Sequence, residues 1–580
     1  MLHQGGFTSR LYLLSAVLFS FFHCAFIASG SDSPGVEEAE LGQVRSGWCG
    51  HGAHVPPPSE MMVFDETPPP SRSGRTAGGL ITAQIASVNE SGVKAKNEFG
   101  EYGQEELDDS WQPIRIYAST LDMDDPHRFC TRPGDVRDTL TGGGPVTCKE
   151  ADVLTVRKKR IIKQQALPEA IKMHSSRLFV QRLQRKIVLG RHQIGHCKMF
   201  KVPEAHYTNG VDADLLVYVG VRPTIGSIAW AFTCGLLPNG RSVVGSINLS
   251  PAFVKESDFF IRVIVHELGH VLGFDKGHLV RARVLQEVRG VRGLGQVYVV
   301  NSTIAKRVAQ KHFNCSDVLG IEMENEGGNA VEISHLEQRH AYEDVMSPNG
   351  RIKRYTAMTL AVFASLGYYR VNFSRAEPTR WGLNAGCGFL NDRCVVNGTA
   401  THPKWFCDRE GGEHSHVCSY DHLSLGRCAL GRQEGGPPLE YRYFSDDELG
   451  GTSLFMDYCP VVVPYSHGKC TGAGGGLLRG SATGRNSRCV KGVNLRYSFR
   501  DVGDVCVHTD CSGGRLRIRF LMDFFWKECK AGELVKPSNI FLWSGGVICP
   551  TREEVCFEEE DYTLKLKALP RQANDSEPAF

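Results

Sequence analysis

The stretch Val263-Ile264-Val265-His266-Glu267-Leu268-Gly269-His270-Val271-Leu272-Gly273-Phe274 constrains this 580-residue chain more than any other. It sets His-Glu-x-x-His inside an apolar run with helical character. Positions i and i+4 of a helix lie roughly 40° apart around the axis and about 6 Å apart along it. His266 and His270 therefore face the same way and are placed to hold one metal ion, with Glu267 next to the first of them and within reach of a water on that metal. Neutral imidazoles as ligands with a carboxylate as general base are the parts of a zinc hydrolase centre. The bland alternative is coincidence on a surface helix in a chain with 21 histidines. The apolar flanks argue against it, because two histidines on a buried helix need a reason.

The surroundings suit that reading. Ser257-Asp258 offers an N-cap for the helix. Upstream, Ile114-Arg115-Ile116-Tyr117 alternates like a strand, and residues 215–221, 227–233 and 243–248 are apolar enough for buried strands. Residues 150–182 read as one long helix, with Leu167, Ala170, Ile171, His174 and Leu178 on one face. Its Arg157-Lys158-Lys159-Arg160 cluster is expected to be a solvated helix face rather than a convertase site. Cys130 and Cys148 bracket a Gly-rich loop and are expected to pair. The sum is an α+β fold with a cleft beside the sheet, where an extended peptide is able to add to a sheet edge.

A net charge of +2 gives no case for nucleic acid. Arg10 followed by the apolar run Leu11–Ile27 and by Ala28-Ser29-Gly30 reads as a signal peptide over residues 1–30. The 20 cysteines and seven Asn-x-Ser/Thr sequons (Asn89, Asn248, Asn301, Asn314, Asn372, Asn397 and Asn574) fit the secretory pathway. Residues 31–100 carry two Pro triplets, a Gly/Ser/Arg stretch and no sustained period, and read as a pro-segment. Cys49 within it, in Trp48-Cys49-Gly50-His51, is placed to ligate the metal as a thiolate and keep the enzyme latent. Removing Cys24 with the signal and Cys49 with the pro-segment leaves 18 cysteines, enough for nine disulfides.

A catalytic zinc takes three protein ligands and leaves one position open. Gly273 stands where metzincins carry Gly, and a Gly there lets the chain leave the helix and turn beneath the metal. The third histidine of that pattern would fall at 276, which is Lys, a poor ligand at neutral pH. His278, His312, His335 and His340 remain. His335 comes with context: eleven residues later Met346 precedes Ser347-Pro348-Asn349-Gly350, a tight-turn sequence after a methionine.

At these residues the chain resembles the leishmanolysin family, the kinetoplastid major surface proteases, which place a small inserted domain between the helix and the third histidine. Here 64 residues lie between His270 and His335. The resemblance extends through Tyr355–Phe363, Trp381–Cys387 and Phe455–Ser466, and upstream through Lys201–His206 and Ala229–Ala231, covering most of residues 110–560. It implies His335 as third ligand, Met346 as the apolar floor of a Met-turn, a pro-segment cysteine like Cys49, nine disulfides and a metzincin-like catalytic domain. Domains are then expected at 101–274 (N-terminal, with the zinc helix), 275–390 (central, with His335 and Met346) and 391–580 (Cys-rich, mostly β).

Within 275–334 only a basic, helix-like stretch at 279–293 stands out, and residues 356–369 read as a helix ending at Gly367. From Cys387 onward there are thirteen cysteines, so at least one bridge must cross to an earlier one; Cys506 and Cys511 are expected to pair with each other. The chain ends without the apolar tail that many family members exchange for a lipid anchor, and Lys255-Glu256-Ser257-Asp258 stands where some members carry an adhesion motif. Release from the cell is therefore the expectation, with membrane association left open. The functional expectation is a zinc metalloendopeptidase acting on protein or peptide substrates, with one Zn²⁺ per chain held by His266, His270 and His335 and with Glu267 as general base. A catalytically silent adhesion protein on the same fold is the alternative.

Overall fold

Why Leu215–Gly220, Ala229–Leu236 and Ser242–Leu249 are apolar at nearly every position becomes clear from what lies on their two sides: every residue in them is buried. We label the strands of this five-stranded sheet β1 (Met62–Val63), β2 (Ile116–Ser119), β3 (Leu215–Gly220), β4 (Ala229–Leu236) and β5 (Ser242–Leu249); their spatial order is β1-β4-β5-β3-β2. Side chains of a strand alternate between faces. Leu215, Val217, Val219, Ala231 and Ile247 join the main core on one face. Leu216, Tyr218, Trp230, Phe232 and Val244 join a second core on the other, with Phe200 and Cys197. β2, β3 and β5 are parallel, β4 runs antiparallel to β5 (Ala229 opposite Leu249), and β1 pairs in parallel with the outer side of β4, Met62 opposite Gly235.

The computed structural model describes residues 108–557 apart from 141–143, 192–194, 329–330, 349–352, 410–415 and 473–477, together with the backbone of Met62–Val63. The signal-peptide expectation, the rest of the pro-segment with Cys49, the Asn349-Gly350 turn and the C-terminal tail lie outside the described residues. Helix and sheet are mixed, and the C-terminal region is sheet-rich. Among the described residues no helix is long and apolar enough to cross a membrane.

Four helices matter for the site: α1 (Leu167–Ser175), α2 (Asp258–Val271), α3 (Thr303–Phe313) and α4 (Ala357–Ser365). The single long helix expected over 150–182 is broken. A helical turn at Val156–Ile161 passes through a wide π turn, Ile162–Ala166, into α1, and the chain has become a strand by Leu178–Gln181. Pro168 explains the wide turn, since it has no N–H to give and its ring crowds the carbonyl four residues back. Leu178 fits a helical period and a strand alternation equally well, which hid the boundary. The basic cluster is not a solvated face either. Lys158 Nζ donates to the Ala151 carbonyl at 2.6 Å, Lys159 lies 4.0 Å from the Phe129 ring centre, and Arg160 is buried.

The strand expected at 114–117 is displaced to β2, because the Arg115 backbone N–H donates to the Asp214 carboxylate at 3.0 Å. The helix-like stretch at 279–293 is the end of a short helix, Lys276–Arg281, followed by the strand Leu285–Arg289. That strand pairs with Gln296–Val300, which pairs in turn with Ile321–Met323, and α3 connects the last two. The basic residues there made an amphipathic pattern, but Gly290 (φ +73°) and Gly293 (φ +87°) turn the chain back as a hairpin. The helix expected over 356–369 is trimmed to α4, capped by the Thr356 hydroxyl and followed by Gly367 at φ +85°.

The 18 cysteines after Cys49 form nine disulfides, the chemistry of an oxidising compartment. Cys130 pairs with Cys148, and Cys315–Cys387 is the bridge that crosses to an earlier cysteine. Cys506 and Cys511 do not pair: Cys506 bonds Cys470 and Cys511 bonds Cys556. Val505–Asp510 is one extended strand. Five residues of strand hold the two Cα atoms about 16 Å apart, far beyond the roughly 7 Å a disulfide spans. Asn248 is fully buried and exchanges hydrogen bonds with the Arg222 backbone, so a glycan at this sequon is incompatible with the fold.

Candidate metal centre

α2 begins as its sequence dictates. The Ser257 hydroxyl accepts from the Phe260 N–H, and every residue from Phe260 to Val271 is buried. The helix lies against β4 and β5 on one side and α1 on the other. One turn before His266, Arg262 fixes its rotation: the guanidinium meets the Glu377 carboxylate at 2.6 and 3.1 Å and donates to the Lys353 carbonyl at 2.5 Å. On the opposite flank His174 of α1 donates from Nε2 to the Val265 carbonyl at 2.9 Å and accepts from the Tyr355 hydroxyl at 3.1 Å. Burial holds the His174 imidazole down at about 4, so it stays neutral.

The C-terminal end of α2 carries the turn that Gly273 was expected to make. Gly273 adopts φ +109°, and a Cβ there would lie 2.9 Å from the Tyr368 hydroxyl. The Phe274 N–H closes back on the Gly269 carbonyl at 3.0 Å, and the Phe274 carbonyl then points at His270, accepting from Nδ1 at 2.8 Å.

His335 arrives from the far side of the inserted strands, in the segment 331–335, and its Nδ1 donates to the Val331 carbonyl at 2.9 Å. His266 Nδ1 donates to the Val345 carbonyl at 2.6 Å. All three imidazoles thus spend Nδ1–H on a backbone carbonyl, which cannot donate in return. That fixes the tautomer and leaves a lone pair on every Nε2. Those Nε2 atoms converge: His266 lies 3.1 Å from His270 and 3.2 Å from His335. Three acceptors turned toward one point suit a shared cation. Two imidazoles on a tetrahedral ion at about 2.0–2.1 Å are spaced about 3.3 Å apart. The group fits a metal site on both counts, donor chemistry and spacing.

The remaining candidate histidines are engaged elsewhere. His278 holds the Asp275 carboxylate at 2.5 Å and the Ser242 hydroxyl at 3.0 Å. His340 Nε2 lies 2.7 Å from the Arg339 guanidinium, and His312 Nε2 donates to the Trp381 carbonyl at 2.8 Å. Lys276 begins a short helix capped by Asp275. Glu267 is buried next to His266. Cys49, expected as the latch, lies outside the described residues.

Met346 is buried beneath α2. A Cβ built on Gly269 would lie 2.6 Å from Met346 Sδ, so the glycine between the two histidines is what lets the methionine in. The turn that carries it is bolted down by Asp344, whose carboxylate accepts from the Met346 N–H at 2.6 Å and from the Thr356 and Thr359 hydroxyls of the α4 N-terminus. Burial raises the Asp344 carboxyl above the usual range despite these three donors. Backbone bonds join the turn to the third histidine, with the Leu336 N–H donating to the Met346 carbonyl at 3.0 Å. Gly269, Asp344, His174 and Arg262 were not singled out as supports by sequence reasoning. Only Gly269 left a signal, since a glycine inside a helix costs about 1 kcal/mol against alanine and so asks for a packing reason.

A sequence profile of the leishmanolysin family matches residues 75–562. Leishmanolysin of Leishmania major is 36% identical over 470 residues, which is 77% of each chain. A leishmanolysin homologue of Crithidia fasciculata is 31% identical over 468 residues, covering 77% of this chain and 71% of its own. A leishmanolysin-like peptidase of Drosophila melanogaster is 25% identical over 537 residues, 70% of this chain and 78% of its own. With a metal-fitting histidine triad in place and more than half its length matched, the chain belongs to the leishmanolysin family of metallopeptidases.

Proposed function

We propose that the chain is a zinc endopeptidase of metzincin-like build that cleaves peptide bonds in proteins, with His266, His270 and His335 holding one Zn²⁺ and Glu267 as general base. The observation that carries this is the convergence of three Nε2 lone pairs whose Nδ1 partners are backbone carbonyls. Zinc bound there supplies a Lewis acid for the scissile carbonyl and lowers the pKa of water. Glu267 takes the proton of the attacking water and passes it to the leaving amine. The Val345, Phe274 and Val331 carbonyls hold the imidazoles in one tautomer, and Met346 packs beneath α2 as an apolar floor. A silent adhesion protein with structural zinc would require a fourth protein ligand such as His278 or His340, and both are hydrogen-bonded elsewhere.

The reading includes a secreted zymogen: signal peptide 1–30, pro-segment 31–100 latched by Cys49, and mature domains at 101–274, 275–390 and 391–580. One pairing supports it. Met62–Val63 occupies the outer side of β4, the sheet edge to which a substrate strand would add. Glu267→Gln is expected to keep one zinc per chain by atomic absorption while losing on the order of 10²–10⁴ in peptide turnover. Near-normal turnover, or loss of the zinc, overturns the assignment. Cys49→Ser is expected to be active without mercurial treatment.

A further inference from the structure

One end of the C-terminal sheet carries every exposed Phe and Trp among the described residues. Three loops meet there. The hairpin at Tyr497–Arg500 carries Phe499, 92% exposed. The loop 521–527 carries Met522, Phe524, Phe525 and Trp526, of which Phe524 is 85% exposed. The loop 536–542 carries Ile540 and Phe541, 77% and 87% exposed. These loops are tied to one another. The Ser498 N–H donates to the Leu542 carbonyl at 2.8 Å, Trp543 Nε1 to the Leu521 carbonyl at 3.0 Å, and Asn539 Nδ2 to the Met522 carbonyl at 3.2 Å. The apolar side chains therefore stand on a braced tip.

Charge at the tip leans positive, with Asp501, paired to Arg496, and Glu528 just behind it. Within the three loops Arg500, Lys527 and Lys536 are the cations and Asp523 the only carboxylate. Asp523 is buried and spends its oxygens on the Ser538 and Phe524 N–H groups at 2.7 and 3.1 Å. Arg519 lies 4.9 Å from the Trp526 ring centre. Large apolar side chains at the ends of short loops, ringed by cations, match a surface that is apolar inside and anionic outside. That is the interface of a bilayer bearing acidic phospholipid, where apolar insertion and phosphate attraction add as two signals. A protein-binding patch of this size would bring hydrogen-bonding partners along with its aromatics.

We propose that this tip docks the chain on an anionic phospholipid surface, with Phe499, Phe524, Phe525 and Phe541 inserting between headgroups and Arg500, Lys527 and Lys536 meeting phosphates. The test is flotation of the full chain with vesicles of phosphatidylcholine alone and with about one third phosphatidylserine. Binding to the anionic vesicles is expected, weakened by raised salt. Phe524→Ser/Phe525→Ser/Phe541→Ser is expected to lower it by roughly tenfold or more. Arg500→Gln/Lys527→Gln/Lys536→Gln is expected to remove the preference for phosphatidylserine. Cleavage of a soluble peptide should be unchanged in both variants, which shows they are folded. No vesicle binding by the native chain, or equal binding by the serine variant, overturns the proposal. So does a native dimer that the serine substitutions dissociate, which would assign the tip to a second copy of this chain.

Discussion

Gly269→Ala sets two opposing effects against each other within the metal helix. Alanine is favoured over glycine in a helix interior by about 1 kcal/mol. The new Cβ, however, would sit 2.6 Å from Met346 Sδ and 3.1 Å from its Cε. Ordinary carbon contacts begin near 3.5–4.0 Å, so the overlap is about 1 Å. Met346 has little freedom to yield. Its N–H is held by Asp344, its carbonyl by Leu336, and its side chain is fully buried near Phe363, which lies 4.0 Å from the added Cβ. Overpacking of this kind costs about 1–3 kcal/mol, so the helix gain is offset and the chain loses about 0–2 kcal/mol.

The larger effect falls on metal binding. Val345, whose carbonyl orients His266, precedes Met346, and Leu336, bonded to Met346, follows His335. Moving the methionine moves supports of two ligands, and disturbed supports of this kind weaken metal affinity about 10–100-fold. The assay is zinc competition against a chromophoric chelator, with denaturant melts of the metal-free chain alongside. Adding Met346→Ala should restore room, so the double mutant should bind zinc more tightly than the sum of the single effects allows, with about 1–2 kcal/mol of coupling. Affinity of Gly269→Ala within about twofold of native, or additive single effects, would refute the packing argument.

Two further outcomes follow from the buried polar groups around α2. His174 has its folded pKa depressed by burial to about 4, against about 6.5 unfolded. As pH falls below about 6.5 the unfolded chain takes up a proton that the folded chain refuses, so stability drops until about pH 4 and is unaffected above 6.5. The shift amounts to about 3 kcal/mol, and His174→Phe should remove that slope from denaturant midpoints measured across this window; an unchanged slope would exclude His174 as its source. Arg262→Met takes the bidentate partner from the buried Glu377 carboxylate, leaving it Arg177 at 3.7 Å and the Tyr355 N–H at 2.8 Å, and should cost up to about 3–5 kcal/mol, as read by chemical denaturation. A single mutant as stable as the native chain would show that the pair does not hold α2.

Sequence patterning carried the elements whose cause is local. α2 was legible because its apolar period, its Ser257 cap and its His-Glu-x-x-His spacing all lie within one helix length. The three central strands were legible because burial on both faces makes them apolar throughout, and their ends fall within three residues of expectation. The cysteine count, once Cys24 and Cys49 were set aside, allowed nine disulfides, and nine form. Where one residue satisfied two patterns, as Leu178 does, or where glycines reversed a basic stretch, as at 290 and 293, local reading went astray.

Tertiary structure decided what depends on contacts between distant residues. Among four later histidines only His335 is carried to α2, and the reason is an inserted three-stranded sheet together with prior bonds that engage His278, His312 and His340. The groups that set the imidazole tautomers are the backbone carbonyls of Phe274, Val331 and Val345. Every residue has a carbonyl, so no sequence marks these three. The same holds for the disulfides, where an extended strand forbids the nearest pairing, and for Gly269, whose need is visible only once Met346 lies beneath it. The sequence by itself determined the helix and the placement of His266 and His270 on one face of it, because these follow from periodicity; bringing His335 to them was left to the packing of residues 69 positions apart.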